Sequence, residues 1–396
     1  MRRPRRLTHL AAAAAVLGGL ITGGLSSASA ARPGGCATPV NGTCIGQSGF
    51  SSDNVEQVKF VPFEVGTATG ARVVGHYLFV TSWKNFAIYD IKDPLNPALI
   101  TTKPIGFMFE NEDVATNGKM LLFSESLPNS ILHVWDLQDY KNPVEVGTLS
   151  GAGDHTTSCL FNCKYGWGSS GTVTDLRRID APKKLGKWNT GQPGKSIHDV
   201  TEVSPGLVIT ASQPFMFLDA RKSVTEPKLL ATGTSSDGRF IHSILWPRGG
   251  KDKFILVGGE TNEHPRCDVP SKSAHFMVWD STNWQKTHAF KMTDEYTYKN
   301  GAYVDGNPAV NGLGCSSHWF QEHPTWKDGG LVAVGSYENG TRFLIVNKAG
   351  KMKEVGWFVP APGGMESAAY WITKDLVYTI DYTRGIDILK WHGPLH

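Results

Sequence analysis

Two distant segments carry chemically active side chains in the same frame. "NEDVATNGKMLLFSES" contains Glu112 and "SIHDV" contains His198, and in each case an apolar run begins nine residues later, at Leu121 and Leu207. Imidazole and carboxylate groups transfer protons and ligate metal ions. The shared frame indicates that these two side chains occupy equivalent places in a repeated structural unit.

A strand-and-turn pattern defines the repeated unit. "FAIYDIKDPLNP" (86–97) recurs as "LHVWDLQDYKNP" (132–143) and "TVTDLRRIDAP" (172–182), each with an Asp seven residues before a Pro. The period-two placement of Phe86 and Ile88 favours strands over helices. Four short strands in roughly 40–65 residues are typical of a β-propeller blade.

The two ends of the chain predict how the ring closes. The last repeat has three strand-like segments, "SAAYWIT", "DLVYTID" and "GIDILKW", and lacks a fourth. "NVEQVKFVPF" (54–63) resembles the fourth strands and has no preceding three. We therefore predict an all-β fold, a seven-bladed β-propeller over residues 55–396, in which residues 55–62 pair with 386–390 and complete the last blade.

One stretch of the first blade resembles a known family. "GARVVGHYLFVTSWKNFAIYDIKDPLNPALI" (70–100) is similar to the LVIVD-repeat family of secreted β-propellers, and the resemblance extends over residues 55–391. The resemblance implies the propeller fold and export from the cell. It implies little about chemistry, because one fold carries many functions.

The blade alignment places one column of residues at the innermost strands, which line the central channel of a propeller. In blade order this column contains Thr69, Glu112, His155, His198, His242, His318 and Glu366. A single histidine of this kind is usually a hydrogen-bonded core residue. Four in one column predict imidazoles that converge on the axis and offer their lone pairs to a metal ion.

We assign roles to this column as hypotheses. His155, His198, His242 and His318 are the predicted metal ligands, while Glu112 and Glu366 are the predicted catalytic groups, as further ligands or as proton acceptors. An all-imidazole set favours iron or copper and also suits zinc. Thr69 leaves a gap in the ring through which a substrate or O₂ could approach.

The predicted function follows from that centre. We expect a metal-dependent oxidoreductase that acts on a small molecule. Two alternatives remain open from the sequence: a metal-assisted lyase that uses the same residues, and a non-catalytic extracellular binding propeller whose hub metal is structural or absent.

The N-terminus predicts the compartment. Residues 1–30 combine a cationic start, an apolar stretch and the small-residue site "ASA", which is typical of a secretory signal peptide cleaved near Ala30. The signal contains four of the 39 Lys and Arg residues, so the remaining chain has 35 basic and 36 acidic residues. This balance argues against a nucleic-acid partner. No stretch after the signal is long and apolar enough to predict a membrane span.

Six cysteines follow the signal, an even count that favours disulfides in an exported protein. The N-terminal extension, residues 31–54, is predicted to contain a short Cys36–Cys44 loop. Blade geometry predicts Cys159–Cys163 across one hairpin and Cys267–Cys315 between two loops on the same face of the ring.

Overall fold

The computed structural model describes most of the chain after the signal segment. The described residues are 39–40, 43–44, 50–62, 68–106, 112, 114–126, 129–190, 197–235, 240–260, 275–296, 316–360, 364–382 and 384–396. The predicted signal peptide lies outside them. Four strands precede the first complete blade: β1 (Pro39–Val40), β2 (Thr43–Cys44), β3 (Phe50–Ser51) and β4 (Val55–Pro62).

Seven antiparallel sheets form the ring in the described part of the chain, and the predicted seven-bladed propeller is confirmed. Consecutive strands are hydrogen-bonded neighbours in every blade, with the first strand innermost. Blade one contains β5 (Ala68–Val74), β6 (Tyr77–Ser82), β7 (Asn85–Asp90) and β8 (Ala98–Pro104). Blade two contains β9 (Ala115–Thr116), β10 (Met120–Glu125), β11 (Ile131–Asp136) and β12 (Val144–Ser150). Blade three contains β13 (Thr157–Leu160), β14 (Tyr165–Gly168), β15 (Thr172–Asp175) and β16 (Lys183–Lys187).

The last four blades follow the same plan. Blade four contains β17 (Ile197–Ser204), β18 (Leu207–Ser212), β19 (Phe215–Asp219) and β20 (Lys228–Gly233), and blade five contains β21 (Ser243–Leu245), β22 (Phe254–Gly258), β23 (Phe276–Asp280) and β24 (Lys291–Tyr296). Blade six contains β25 (Phe320–Glu322), β26 (Gly330–Gly335), β27 (Thr341–Val346) and β28 (Met352–Val359). Blade seven contains β29 (Glu366–Trp371), β30 (Leu376–Asp381) and β31 (Gly385–Trp391). Among the described residues of blade five, Pro247–Gly250 forms a left-handed turn and α1 (Trp284–Thr287) is a single helical turn.

Both faces of each blade are buried against neighbouring blades. The central strands β10 and β22 are therefore buried along their whole length, with no polar face for solvent. Apolar clusters fill each gap; one of them joins Leu78 and Val80 of blade one to Ile380 and Ile386 of blade seven. Continuous apolar runs in strands are expected where two packed layers cover the sheet.

The ring closes through the predicted strand. β4 pairs antiparallel with β31, from Val55 opposite Trp391 to Pro62 opposite Gly385, and it completes blade seven. A second N-terminal contact had no sequence signal: β3 pairs with β28 and adds a fifth strand to blade six. The N-terminal segment therefore pairs with the outer edges of two adjacent blades, along the whole of β31 and over two residues of β28.

Backbone and hydroxyl hydrogen bonds join neighbouring innermost strands. The Thr201 hydroxyl donates to the Ile244 carbonyl at 2.9 Å, and the Trp319 amide donates to the Ser367 carbonyl at 3.0 Å. These bonds fix the height of each inner strand relative to the next. Side chains that start those strands are consequently held at one level of the channel.

The structure tests one of the three predicted disulfides. Cys159 and Cys163 are bonded across the β13–β14 hairpin, so that prediction is confirmed. The other two pairs involve Cys36, Cys267 and Cys315, which lie outside the described residues. Within the described ranges, no helix has the length and apolarity that a membrane crossing requires.

The closure generates the first prediction. Deleting residues 54–63 exposes the edge of β31 and removes the buried side chains of Val55 and Phe60. Burial of two such side chains is worth about 4 kcal/mol, so we expect the melting temperature of a ring of this size to fall by roughly 5 °C. Calorimetry measures this, with a truncation of residues 1–49, which retains β3 and β4, as the matched control. Equal melting temperatures for the deletion variant and the truncated control would contradict the role of β4 in closing the ring.

Candidate metal centre

The structure places the predicted column at one end of the central channel. Within one to three residues before their innermost strands lie Glu112, His155, His242 and His318, while His198 and Glu366 lie in the first two residues of theirs. The side chain of Thr69 lies outside the described part of the chain. The equivalence that the repeat predicted for these positions is therefore present in three dimensions.

Four imidazoles and one carboxylate converge there; we call Glu112, His155, His198, His242 and His318 the hub cluster. The Glu112 Oε2 atom is 2.9 Å from the Nε2 atom of His242 and 3.4 Å from that of His318. The corresponding distances are 3.6 Å for His198 and 4.0 Å for His155. All four rings direct the same nitrogen at one carboxylate oxygen, so Glu112 stands at the centre of the cluster.

Most of the hub cluster is removed from solvent. His242 and His318 are fully buried, and Glu112 and His198 nearly so. The side chain of His155 is 31% exposed, which makes it the accessible member. The hub is therefore a dry site that opens to solvent at the ring of His155.

Two backbone carbonyls determine the tautomers of two rings. The Nδ1 atom of His198 is 2.9 Å from the His242 carbonyl oxygen, and the Nδ1 atom of His318 is 2.6 Å from the Ser367 carbonyl oxygen. A carbonyl only accepts, so both Nδ1 atoms must carry the proton. In the neutral rings, the Nε2 atoms that face Glu112 then present lone pairs.

Internal hydrogen bonds satisfy only part of the hub. Among the described residues, the buried His318 Nε2 and His242 Nδ1 have no hydrogen-bond partner. The Nε2 atoms of His155 and His198 are only 2.6 Å apart. The buried His323 differs, because its two ring nitrogens contact the Thr325 hydroxyl and the Lys374 carbonyl, both at 2.7 Å.

Burial and mutual attraction shift the pKa values of the hub groups in different directions. Burial, together with the neighbouring rings, holds the pKa of His198 well below its ordinary value, and burial lowers the pKa of His242 to about 4. Burial would raise the pKa of Glu112, but attraction to His318 and His242 outweighs it and holds that pKa well below its usual range. Attraction to Glu112 likewise outweighs burial and raises the pKa of His318. At neutral pH the centre therefore contains a carboxylate and the neutral rings of His198 and His242, while attraction to Glu112 favours the protonated ring of His318.

The residues present fit a metal ion. Ligand atoms of Glu112, His155 and His198 lie within 4.8 Å of one another, and so do those of Glu112, His242 and His318. Two ligand atoms of a tetrahedral ion lie about 3.4 Å apart when each bond is about 2.1 Å long. A cation among these atoms would bind the Glu112 carboxylate and the imidazole nitrogens that face it. The hub cluster could hold a metal ion.

Three further polar residues reach the hub, and sequence reasoning missed them. The Tyr382 hydroxyl donates to Glu112 Oε1 at 3.2 Å. The Tyr337 hydroxyl donates to Glu260 at 2.8 Å, and Glu260 offers a ligand atom within 4.8 Å of those of His198 and His242. Each of the three closely follows the second strand of its blade, β22, β26 or β30. A second repeat column at that position was the signal that would have found them.

Glu366 differs from the predicted arrangement. Its backbone occupies the expected position, but its side chain forms a group with Asp381 and Asp387 rather than with the imidazoles. The reason is its pairing, since Glu366 lies opposite Asp381 in the β29–β30 register and turns toward the face of its own blade. A catalytic role for Glu366 at the hub stays a prediction without a contact to support it.

Comparisons with known proteins support the fold alone. The chain is similar to the RRP9 WD40 repeats (TM-score 0.57, 10% identity, covering 88% of this chain and 99% of that chain). It is also similar to the Cps50 (Swd1) β-propeller domain of Myceliophteria thermophila (0.53, 14%, 83% and 98%) and to a functionally unknown protein of Desulfotomaculum acetoxidans DSM 771 (0.54, 14%, 80% and 94%). No protein-family profile and no curated protein matches the chain.

The hub geometry generates the second prediction. In metal-free protein at pH 7, we expect His198 to be neutral and to carry its proton on Nδ1, because the His242 carbonyl accepts that proton and burial lowers the His198 pKa. Long-range ¹H–¹⁵N NMR distinguishes the tautomers, and the His198→Ala variant assigns the signal. A proton on Nε2 would contradict the geometry described for the hub.

Proposed function

We propose that this protein is a secreted propeller related to the LVIVD-repeat proteins, with a transition-metal centre at its hub and an oxidoreductase activity toward a small molecule. The observation that carries the proposal is the convergence of four imidazole Nε2 atoms on Glu112 Oε2 in a buried site. Two buried ring nitrogens of the cluster, His318 Nε2 and His242 Nδ1, also lack a hydrogen-bond partner among the described residues, which a metal or another ligand would explain.

The donor set supports a metal of borderline softness. Nitrogen ligands with one carboxylate suit iron, copper or zinc, and they suit calcium or magnesium poorly. His155, His198, His242 and His318 would hold the ion together with Glu112. When bound, iron or copper supplies one-electron chemistry, which is why we favour these two over zinc.

The chain's own residues would prepare the site for a small substrate. A cavity of about 550 Å³ follows the innermost strands and reaches Glu112, a size within the usual range for small-molecule pockets. Tyr382 holds the second oxygen of Glu112, and the Tyr337–Glu260 pair lies beside the imidazoles. These groups would orient Glu112 and transfer protons at the edge of the dry site.

The compartment and partners follow from the sequence. We propose export with cleavage near Ala30, a small-molecule substrate and no nucleic-acid partner, since the chain after the signal is nearly neutral. The Cys159–Cys163 disulfide is compatible with an oxidising compartment.

The ligand assignment generates the third prediction. His198→Ala removes one ligand atom from the channel and leaves the blade cores intact, so we expect metal affinity to fall by tenfold or considerably more with little change in folding. Equilibrium dialysis with Cu²⁺ and Zn²⁺ measures affinity, and circular dichroism checks the fold. His392→Ala, at an exposed histidine outside the hub, is the matched control. Equal affinities for the two variants would refute the hub site.

The identity of the metal generates the fourth prediction. Protein purified from its native compartment should contain close to one iron or copper per chain, with an electron paramagnetic resonance signal that His198→Ala weakens. A content of zinc alone would overturn the redox proposal and favour a lyase. Protein that binds no transition metal would favour a binding propeller.

A further inference from the structure

Blade seven contains a second buried polar centre, which we call the acidic cluster: Glu366, Asp381 and Asp387. One carboxylate oxygen of each lies within 4.8 Å of the others, and all three residues are fully buried. They come from three adjacent strands, β29, β30 and β31. None of them belongs to the hub cluster, so the role of the acidic cluster does not depend on the proposed function.

One arginine compensates part of the acidic charge. The Arg384 Nη1 atom is 2.8 Å from Asp387 Oδ2 and 3.3 Å from Asp381 Oδ2. Asp387 also accepts from the Gln57 amide, and Asp381 accepts from the backbone amides of Met365 and Arg384. The two aspartates are thereby bonded as carboxylates, and ionisation of all three acids would leave an excess of two negative charges over the single guanidinium.

Glu366 is the member that these bonds leave out. Both of its carboxylate oxygens are buried and lack a hydrogen-bond partner among the described residues. The buried hydroxyl of Thr379, which lies opposite Asp387 in the β30–β31 register, is also without one. An unpartnered buried carboxyl group is a costly arrangement that calls for a ligand or a proton.

We propose that the acidic cluster binds one divalent cation of the calcium type, with Glu366 as its principal ligand. A double positive charge balances the excess of the cluster. Carboxylate and hydroxyl oxygens are ligands for hard cations, in contrast to the imidazoles of the hub. Ca²⁺ accepts irregular sets of oxygens at about 2.3–2.6 Å, which suits carboxylates whose positions are already set by strands and by Arg384.

The position of the site assigns it a supporting role. Glu366 precedes Ser367, whose carbonyl accepts the Nδ1 proton of His318, and its own backbone pairs with Tyr337 in both directions at 2.9 and 3.0 Å. A cation at Glu366 ties the start of β29 to β30 and β31. It therefore holds the strand that sets the tautomer of one hub imidazole.

Calcium titration tests the proposal. Isothermal titration of metal-free protein with CaCl₂ should show one Ca²⁺ per chain, and the same ion should raise the melting temperature. Glu366→Gln keeps the size of the side chain but removes its charge, and it should weaken Ca²⁺ binding by at least about tenfold. Asp387→Asn should do the same if Glu366→Gln does not fold.

Two controls separate this site from the hub. His198→Ala should bind Ca²⁺ as wild type does, because imidazoles are poor calcium ligands. Glu145→Gln, at a partly exposed carboxylate of blade two, should leave calcium binding unchanged. Wild-type protein that takes up no Ca²⁺ overturns the proposal without any variant. Equal calcium affinity for wild type and Glu366→Gln overturns it as well, since Glu366 would then be a protonated carboxyl group.

Discussion

The antiparallel pairing of β4 with β31 is the constraint on which the rest of the structure depends. It joins the N-terminal segment to the last blade and converts a row of sheets into a closed ring. In a closed ring each blade is packed on both faces, and the innermost strands must stand around one axis. The hub cluster exists because that axis brings five blades' first residues to a single point.

Convergence at the axis buries polar and charged side chains. Bringing Glu112 and three of the imidazoles out of water is unfavourable unless their atoms find partners. The fold meets part of this need, since carbonyl groups bind the Nδ1 protons of His198 and His318 and Tyr382 binds one oxygen of Glu112. Of the atoms that face the centre, His242 Nε2 contacts Glu112 Oε2 at 2.9 Å, whereas His318 Nε2 has no hydrogen-bond partner among the described residues. The unpartnered ring nitrogens of His318 and His242 distinguish the hub from an ordinary core, where a histidine such as His323 is bonded at both nitrogens.

The hub and the acidic cluster meet at the start of β29. Ser367 contributes a carbonyl to the hub, while the adjacent Glu366 directs its side chain into blade seven. The backbone carbonyl of one strand residue and the side chain of its neighbour point in different directions, so one short segment can serve two polar centres. The two centres differ in donor type, nitrogen-rich at the axis and oxygen-only in the blade. Different donor sets select different cations, which keeps the two sites chemically separate.

The sequence by itself determined the blade count, the closing strand, the Cys159–Cys163 bridge and the column of histidines, because each depends on spacing within one repeat or between its copies. Only the tertiary structure decided which groups meet. It placed Glu112 at the centre of the four imidazoles, turned Glu366 away from them, and brought Glu260 and Tyr382 to the hub from loops that follow other strands. A repeat specifies where a backbone position stands on its strand. The direction of the side chain is set by neighbours that are far away in sequence, and those neighbours become adjacent only when the ring has closed.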